Sequence, residues 1–216
     1  MKHLIHICAA LLPSLAGAHP HIFVDTGVEL IADDAGRLAQ VKVTWAYDDY
    51  YSLLIAQDLG IDQDFDGQAS DADRETLTGF DMKWIEGFNG DLVLRIDGAE
   101  VALSRPIAPT ADLTGGRIIT THLRDVADTP VLAGAMVELL PYDATYYTAY
   151  DVTLPVRVTG AEACMIETAL PDIQGKLAEL QDQLQLLDRD TDIADTDLPQ
   201  PGAAFATRIT VQCPGV

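Results

Sequence analysis

Positive charge is scarce in this chain: 13 Lys and Arg stand against 34 Asp and Glu in 216 residues. The resulting formal charge of −21 repels nucleic acid and anionic lipid headgroups and attracts cations, so no nucleic-acid partner is expected. The only N-terminal apolar run, Leu4 to Leu15, is too short for a spanning helix. There is no G-x-S-x-G elbow, no P-loop and no H-E-x-x-H, which argues against the hydrolase, nucleotide-binding and zincin chemistries those motifs carry. Cysteines number three and histidines five, so a soft-metal or imidazole site has few residues to draw on.

Apolar residues make up 48% of the chain, enough to bury a sizeable core. Lys2, the Leu4–Leu15 run and the small residues Ala16 and Ala18 form a secretory leader over residues 1–18, with cleavage leaving His19 first. Loss of Lys2 takes the charge from −21 to −22. Residues 19–216 are then read as a single periplasmic domain with no stable membrane insertion after cleavage. Cys8 leaves with the leader. Cys164 and Cys213 are expected to pair as a disulfide in an oxidising compartment, closing a loop of about 50 residues worth on the order of 3–4 kcal/mol. Neither has a Cys or His nearby at metal-ligand spacing, and Cys164 is better placed in this pair than as a nucleophile.

Period-two patterning over His21–Ile31 and Leu38–Tyr47, joined by Asp33-Asp34-Ala35-Gly36, predicts a hairpin. The period changes over Asp49–Leu59, which reads as a helix stopped by Gly60, and a second helix is expected over Arg74–Phe88. Between them, with Asp62 as the first position of a twelve-residue calcium loop, Asp64 and Asp66 fall at the third and fifth, Gly67 at the sixth, Gln68 at the seventh and Ser70 at the ninth. Oxygen ligands at these intervals converge on one hard cation. The last position is Asp73, shorter than the usual Glu, and the eighth is the small Ala69, so affinity is expected to be modest. Residues 49–88 are thus read as an inserted EF-hand-like helix-loop-helix, with Asp62, Asp64, Asp66, Gln68 and Asp73 as calcium ligands. The alternative is a solvated acidic turn.

Beyond it, Asp91–Ile96 and Glu100–Leu103 flank the turn signal Asp97-Gly98. Further strands are predicted over Gly116–Leu123, Ala135–Leu140, Ala149–Val158 and Phe205–Cys213, giving a mainly β, α+β fold in which a β-sandwich-like domain carries the helical insertion. Pro171–Asp188 spaces Ile173, Leu177, Leu180, Leu184 and Leu187 as an amphipathic helix, expected to pack on the sandwich, with partner docking as the other reading. An acidic flexible linker follows over residues 189–203. Tyr142, Tyr146, Tyr147 and Tyr150 read as strand-edge and core residues rather than a binding platform.

After cleavage His19, His21 and His122 remain, and imidazole suits zinc, copper, nickel or iron. The amine and ring of an N-terminal His19 can chelate one ion together, whereas Pro20, lacking an N–H, blocks the arrangement that uses backbone amides. Asp25, Asp48, Asp49 and Asp143 are candidate oxygen ligands or supporting partners. No spacing argument brings His122 near His19, and a solvated terminus is the competing reading. A copper-brace oxidase is the one enzyme alternative, and it would need a second histidine within reach.

His19-Pro20-His21-Ile22-Phe23-Val24, the Asp62–Asp73 loop, Trp84-x-Glu86-Gly87-Phe88 and Pro141-Tyr142-Asp143-Ala144-Thr145-Tyr146-Tyr147 together resemble a family of bacterial periplasmic proteins of unknown function. That family is labelled the periplasmic component of an uncharacterised ABC-type transport system. Its Asp-Pro-Thr-Tyr-Tyr pattern becomes Asp143-Ala144-Thr145-Tyr146-Tyr147 here. The resemblance implies metal handling beside an inner-membrane nickel, cobalt or zinc transporter. Taken together, the expected function is a periplasmic, non-enzymatic metal-handling accessory. It binds a transition metal through His19, His21, His122, Asp25 and Asp143, and calcium through the acidic loop. The alternative is a calcium-stabilised interaction module.

Overall fold

A computed structural model of the chain describes residues 20–161, 163–185 and 201–215. The expected leader, His19 and most of the expected acidic linker lie outside the described residues. The described residues are mainly β, with two sheets and three α-helices among them.

Strand β1 (Ile22–Ala32) and β2 (Leu38–Tyr47) form the predicted hairpin. Its turn is fixed by the Asp33 carboxylate, which accepts the N–H groups of Ala35 and Arg37, both at 2.9 Å. Helix α1 (Asp49–Leu59) follows as expected, capped by Asp48 and terminated by Gly60 in the left-handed region. Helix α2 differs from expectation: it spans Asp71–Leu77, not Arg74–Phe88. Ser70 and Asp73 make a reciprocal capping box that starts the helix early, and Gly79 at φ +80° turns the chain out of it. The apolar residues that suggested a longer helix, Phe80 to Trp84, are packed from a run of turns instead.

Strands β3 (Leu92–Ile96) and β4 (Ala99–Val101) meet at the Asp97-Gly98 turn. Two strands that the pattern did not predict, β5 (Ile107–Thr114) and β10 (Met165–Ala169), are both sheet edges. Between them come β6 (Arg117–Asp125), β7 (Met136–Pro141), β8 (Thr148–Asp151) and β9 (Val156–Thr159), and β11 (Arg208–Gln212) closes the chain. One sheet runs β5-β6-β2-β1-β8, with β9 also on β1; the other runs β10-β11-β7-β3-β4. The expected strand over Ala149–Val158 is thus two short strands, both parallel to β1. The link between them runs along the edge of β1 at Gly27, where an added Cβ would lie 2.9 Å from Leu154 Cβ.

Buried side chains of both sheets, among them Val24, Val41, Leu94, Leu139 and Ile209, form one core cluster. Helix α3 (Ile173–Gln185) departs from expectation: its described side chains are exposed, Leu177 at 44%, and it touches the 3-10 turn Pro201–Phe205 instead of being buried on a sheet. Cys164 and Cys213 are disulfide-bonded, joining the entry to β10 and the end of β11. With a separation of 49 residues, replacing both cysteines by serine is expected to lower unfolding free energy by about 3–4 kcal/mol. Urea unfolding of the oxidised and doubly substituted chains measures this; equal midpoints would remove the covalent staple from the account.

Candidate metal centre

The Asp62, Asp64 and Asp66 carboxylates each bring an oxygen within 4.8 Å of the others. The backbone causes this. Phe65, at φ +57°, donates its N–H to the Asp62 carbonyl, and Gly67 donates to Asp62 Oδ1 at 3.1 Å while Gln68 donates to Asp66 Oδ1 at 2.8 Å. These bonds turn the chain around the carboxylates. Gly67 is required twice over: its φ is +72°, and a Cβ there would meet the Gly116 nitrogen at 2.8 Å.

The loop is docked on the β5–β6 hairpin. The Gly116 N–H donates to the Gly67 carbonyl at 3.1 Å and the Ala69 N–H to the Leu113 carbonyl at 3.0 Å, bridging Gln68 with Thr114. This accounts for the small residue at the eighth position, since Ala69 is 6% exposed against the sheet edge. Asp73 lines the same depression as Asp64, Asp66 and Gln68. Its Oδ2 accepts the Ser70 N–H and hydroxyl at 2.9 and 2.7 Å, and it is not one of the three converging carboxylates. The Ser70 hydroxyl bond, then its N–H, hold the Asp73 carboxyl below its ordinary pKa. Among the described residues no Lys or Arg pairs with the three converging aspartates; the nearby Arg74 is engaged by Asp71 and Asp112. Three carboxylates this close repel one another, and a divalent cation is the simplest neutralisation.

The proposed transition-metal residues are dispersed. His21 is exposed ahead of β1, its N–H bonded to the Tyr147 carbonyl at 2.9 Å and its ring 4.9 Å from that of Tyr147. Asp143 sits at the same end, its carboxylate accepting from the N–H groups of Thr145, Tyr147 and Thr148. Asp48 caps α1 and Asp49 lies 3.8 Å from Arg117. Asp25 is held by the Thr153 hydroxyl and by Arg117 at 2.8 Å; the Thr153 bond is the largest influence and, with Arg117, keeps its pKa low despite burial. His122 does not join His21. It pairs with Val43, which pairs with Val28, placing it seven residues up β1, roughly 23 Å along the strand. It is 1% exposed, with its ring 4.9 Å from Trp45 and 5.6 Å from Trp84.

The model matched by residues 4–213 is that of a protein family described as "Protein of unknown function (DUF1007)". The chain belongs to the DUF1007 family. No curated protein matches the chain. In this DUF1007 protein the first and last stretches behind the resemblance meet, since His21 and Tyr147 are bonded neighbours.

Sequence reasoning missed a buried polar belt beside them. Asp81 accepts from the Tyr47 and Thr120 hydroxyls, both at 2.8 Å, and Asp91 from Tyr150 at 2.8 Å. The one available signal was an Asp set among Phe80, Met82 and Trp84. Burial raises the Asp81 pKa and pushes that of Asp91 from 3.8 to about 7, with Asp143 adding to the latter. His122 moves the other way, from 6.5 to about 4, through burial and then the Arg124 charge. The folded chain holds the Asp91 proton to higher pH than the unfolded chain, so this group withdraws stability as pH rises from about 4 to about 7. Keeping His122 neutral costs stability at low pH, and that cost fades as pH rises from about 4 to 6.5, masking the trend in the parent. Asp91→Asn is therefore expected to gain stability relative to the parent across that window and level off above pH 7, measured by urea unfolding at each pH. A constant difference would contradict the buried-carboxyl reading.

Proposed function

We propose that the protein is an exported, calcium-binding domain in which an EF-hand-like insertion, carried by a β-sandwich-like body, is held in place by the ion. The observation that carries this is the convergence of Asp62, Asp64 and Asp66 on a loop hydrogen-bonded to the β5–β6 hairpin. Because Asp73 lies outside the cluster, the site has fewer carboxylates than a twelve-position loop with a terminal Glu, and affinity falls in the weak range of extracellular modules. Ions bound only by the folded chain add about 2.7 kcal/mol at a hundred times the dissociation constant. Export rests on the leader pattern and suits the disulfide. No described helix is long and apolar enough to cross a membrane.

A second reading, transition-metal handling for an envelope transporter, is favoured by the meeting of His21 with the Tyr142–Tyr147 turn. On this reading zinc, nickel, cobalt or copper is held by the processed His19, its amine and His21, without His122.

Thermal unfolding in calcium and in chelator tests the first reading. The parent is expected to gain several degrees in calcium and Asp64→Ala none; an equal gain in both would sink the staple. Transition-metal titration of the exported chain tests the second, with stoichiometric binding lost in His19→Ala and His21→Ala. Binding unaffected by either substitution would exclude the terminus.

A further inference from the structure

Arg124, on the inward face of β6, is 3% exposed yet has no carboxylate partner among the described residues. Its Nε donates to the Ser104 carbonyl at 2.8 Å, Nη1 to Asn89 at 2.6 Å and Nη2 to Leu103 at 3.3 Å, while its guanidinium carbon lies 5.1 Å from the centre of the Trp84 ring. The carbonyls staple two loops but leave the full charge uncompensated, in a chain with 34 acidic residues. Burial pulls its pKa down to about 10. By contrast Arg74, Arg117, Arg208 and Lys176 are each paired with an acid. Three of the five guanidinium N–H groups are used, leaving one on Nη1 and one on Nη2. A guanidinium N–H that no protein acceptor takes is a donor for a carboxylate.

Arg124 lines a cavity of about 200 Å³. A second arginine, Arg105, also lines it; its Nη2 bonds the Trp84 carbonyl at 2.6 Å, and it too has no acid partner among the described residues. The remaining wall is largely apolar, with Trp84, Phe88, Leu94 and Val101, and Glu100 is the one acid, exposed and in no ion pair. Gly90 lets the backbone pack directly against these two groups: a Cβ there would stand 2.3 Å from the Trp84 ring and 2.9 Å from Arg124 Nη1. A cavity of about 150 Å³ takes a benzene-sized body, so this one has room for such a body with a charged head.

We infer that this cavity binds a small monocarboxylate with an apolar body of roughly five or six carbons, its carboxylate held by Arg124 and Arg105 and its body lying on Trp84 and Phe88. Charge selects the head and the apolar wall selects the tail, while Glu100 at the same cavity disfavours a second negative charge.

The test is calorimetric titration of the full chain with hexanoate, and with hexylamine as a cation of matching body, followed in parallel by tryptophan fluorescence. Saturable one-to-one hexanoate binding is expected, at least tenfold tighter than hexylamine. Arg105→Gln is expected to weaken it about fivefold, one charge-assisted contact of about 1 kcal/mol. Glu100→Gln should leave it equal or tighter. Ala102→Trp, at an exposed lining residue whose backbone bond to Ala127 is retained, should abolish it. Should Ala102→Trp fail to fold, Arg105→Gln and the hexylamine comparison decide. No saturable hexanoate binding, hexylamine binding as tight, or an unchanged affinity in Arg105→Gln would each overturn the assignment.

Discussion

The hydrogen bond from Gly116 to the Gly67 carbonyl joins the calcium-loop candidate to the sheet, and much of the molecule is arranged around that joint. On one side it fixes the loop between α1 and α2. On the other it fixes the β5–β6 turn, where Arg117 donates to the Tyr47 and Ala46 carbonyls and pairs with Asp25 of β1. The helices are anchored to the same hairpin: the Ile118 N–H donates to Ser52 Oγ of α1 at 3.0 Å, and Arg74 of α2 reaches Asp112 of β5 at 3.0 Å. The insertion is therefore held at three points, and the loop between them is where carboxylate repulsion opposes docking. A cation there would relieve the repulsion and act directly on the joint.

Away from that joint the core is unusually polar. Thr120, His122 and Arg124 alternate along β6 toward the interior, as a strand's period of two requires, and each meets a different kind of partner. Thr120 satisfies Asp81, His122 is packed between two indole rings with neither ring nitrogen hydrogen-bonded, and Arg124 is capped by carbonyls. The second oxygen of Asp81 is likewise buried without a partner.

Much of this was legible from patterning, where local chemistry decides the outcome. The β1–β2 hairpin, α1 with its Gly60 stop, and the Asp97-Gly98 turn follow from alternation, caps and positive φ. The Asp62, Asp64, Asp66 and Gly67 spacing also placed the acidic loop, while the capping box that engages one Asp73 oxygen with Ser70 was not read from it. Edge strands were harder. In β5, Pro109 and Asp112 interrupt the alternation, and β10 is exposed along its whole length, so neither carries a buried face to read. The parallel pairing of β8 and β9 with β1, the separation of His122 from His21, and the burial of Asp81 and Asp91 are set by contacts distant in sequence. No local periodicity encodes them.

Calcium titration of the chain by calorimetry tests the central claim most directly. The account predicts one site per chain with micromolar-to-millimolar affinity, lost when Asp62 and Asp66 are both replaced by Asn. Absence of saturable binding, or binding undiminished in that double substitution, would contradict it.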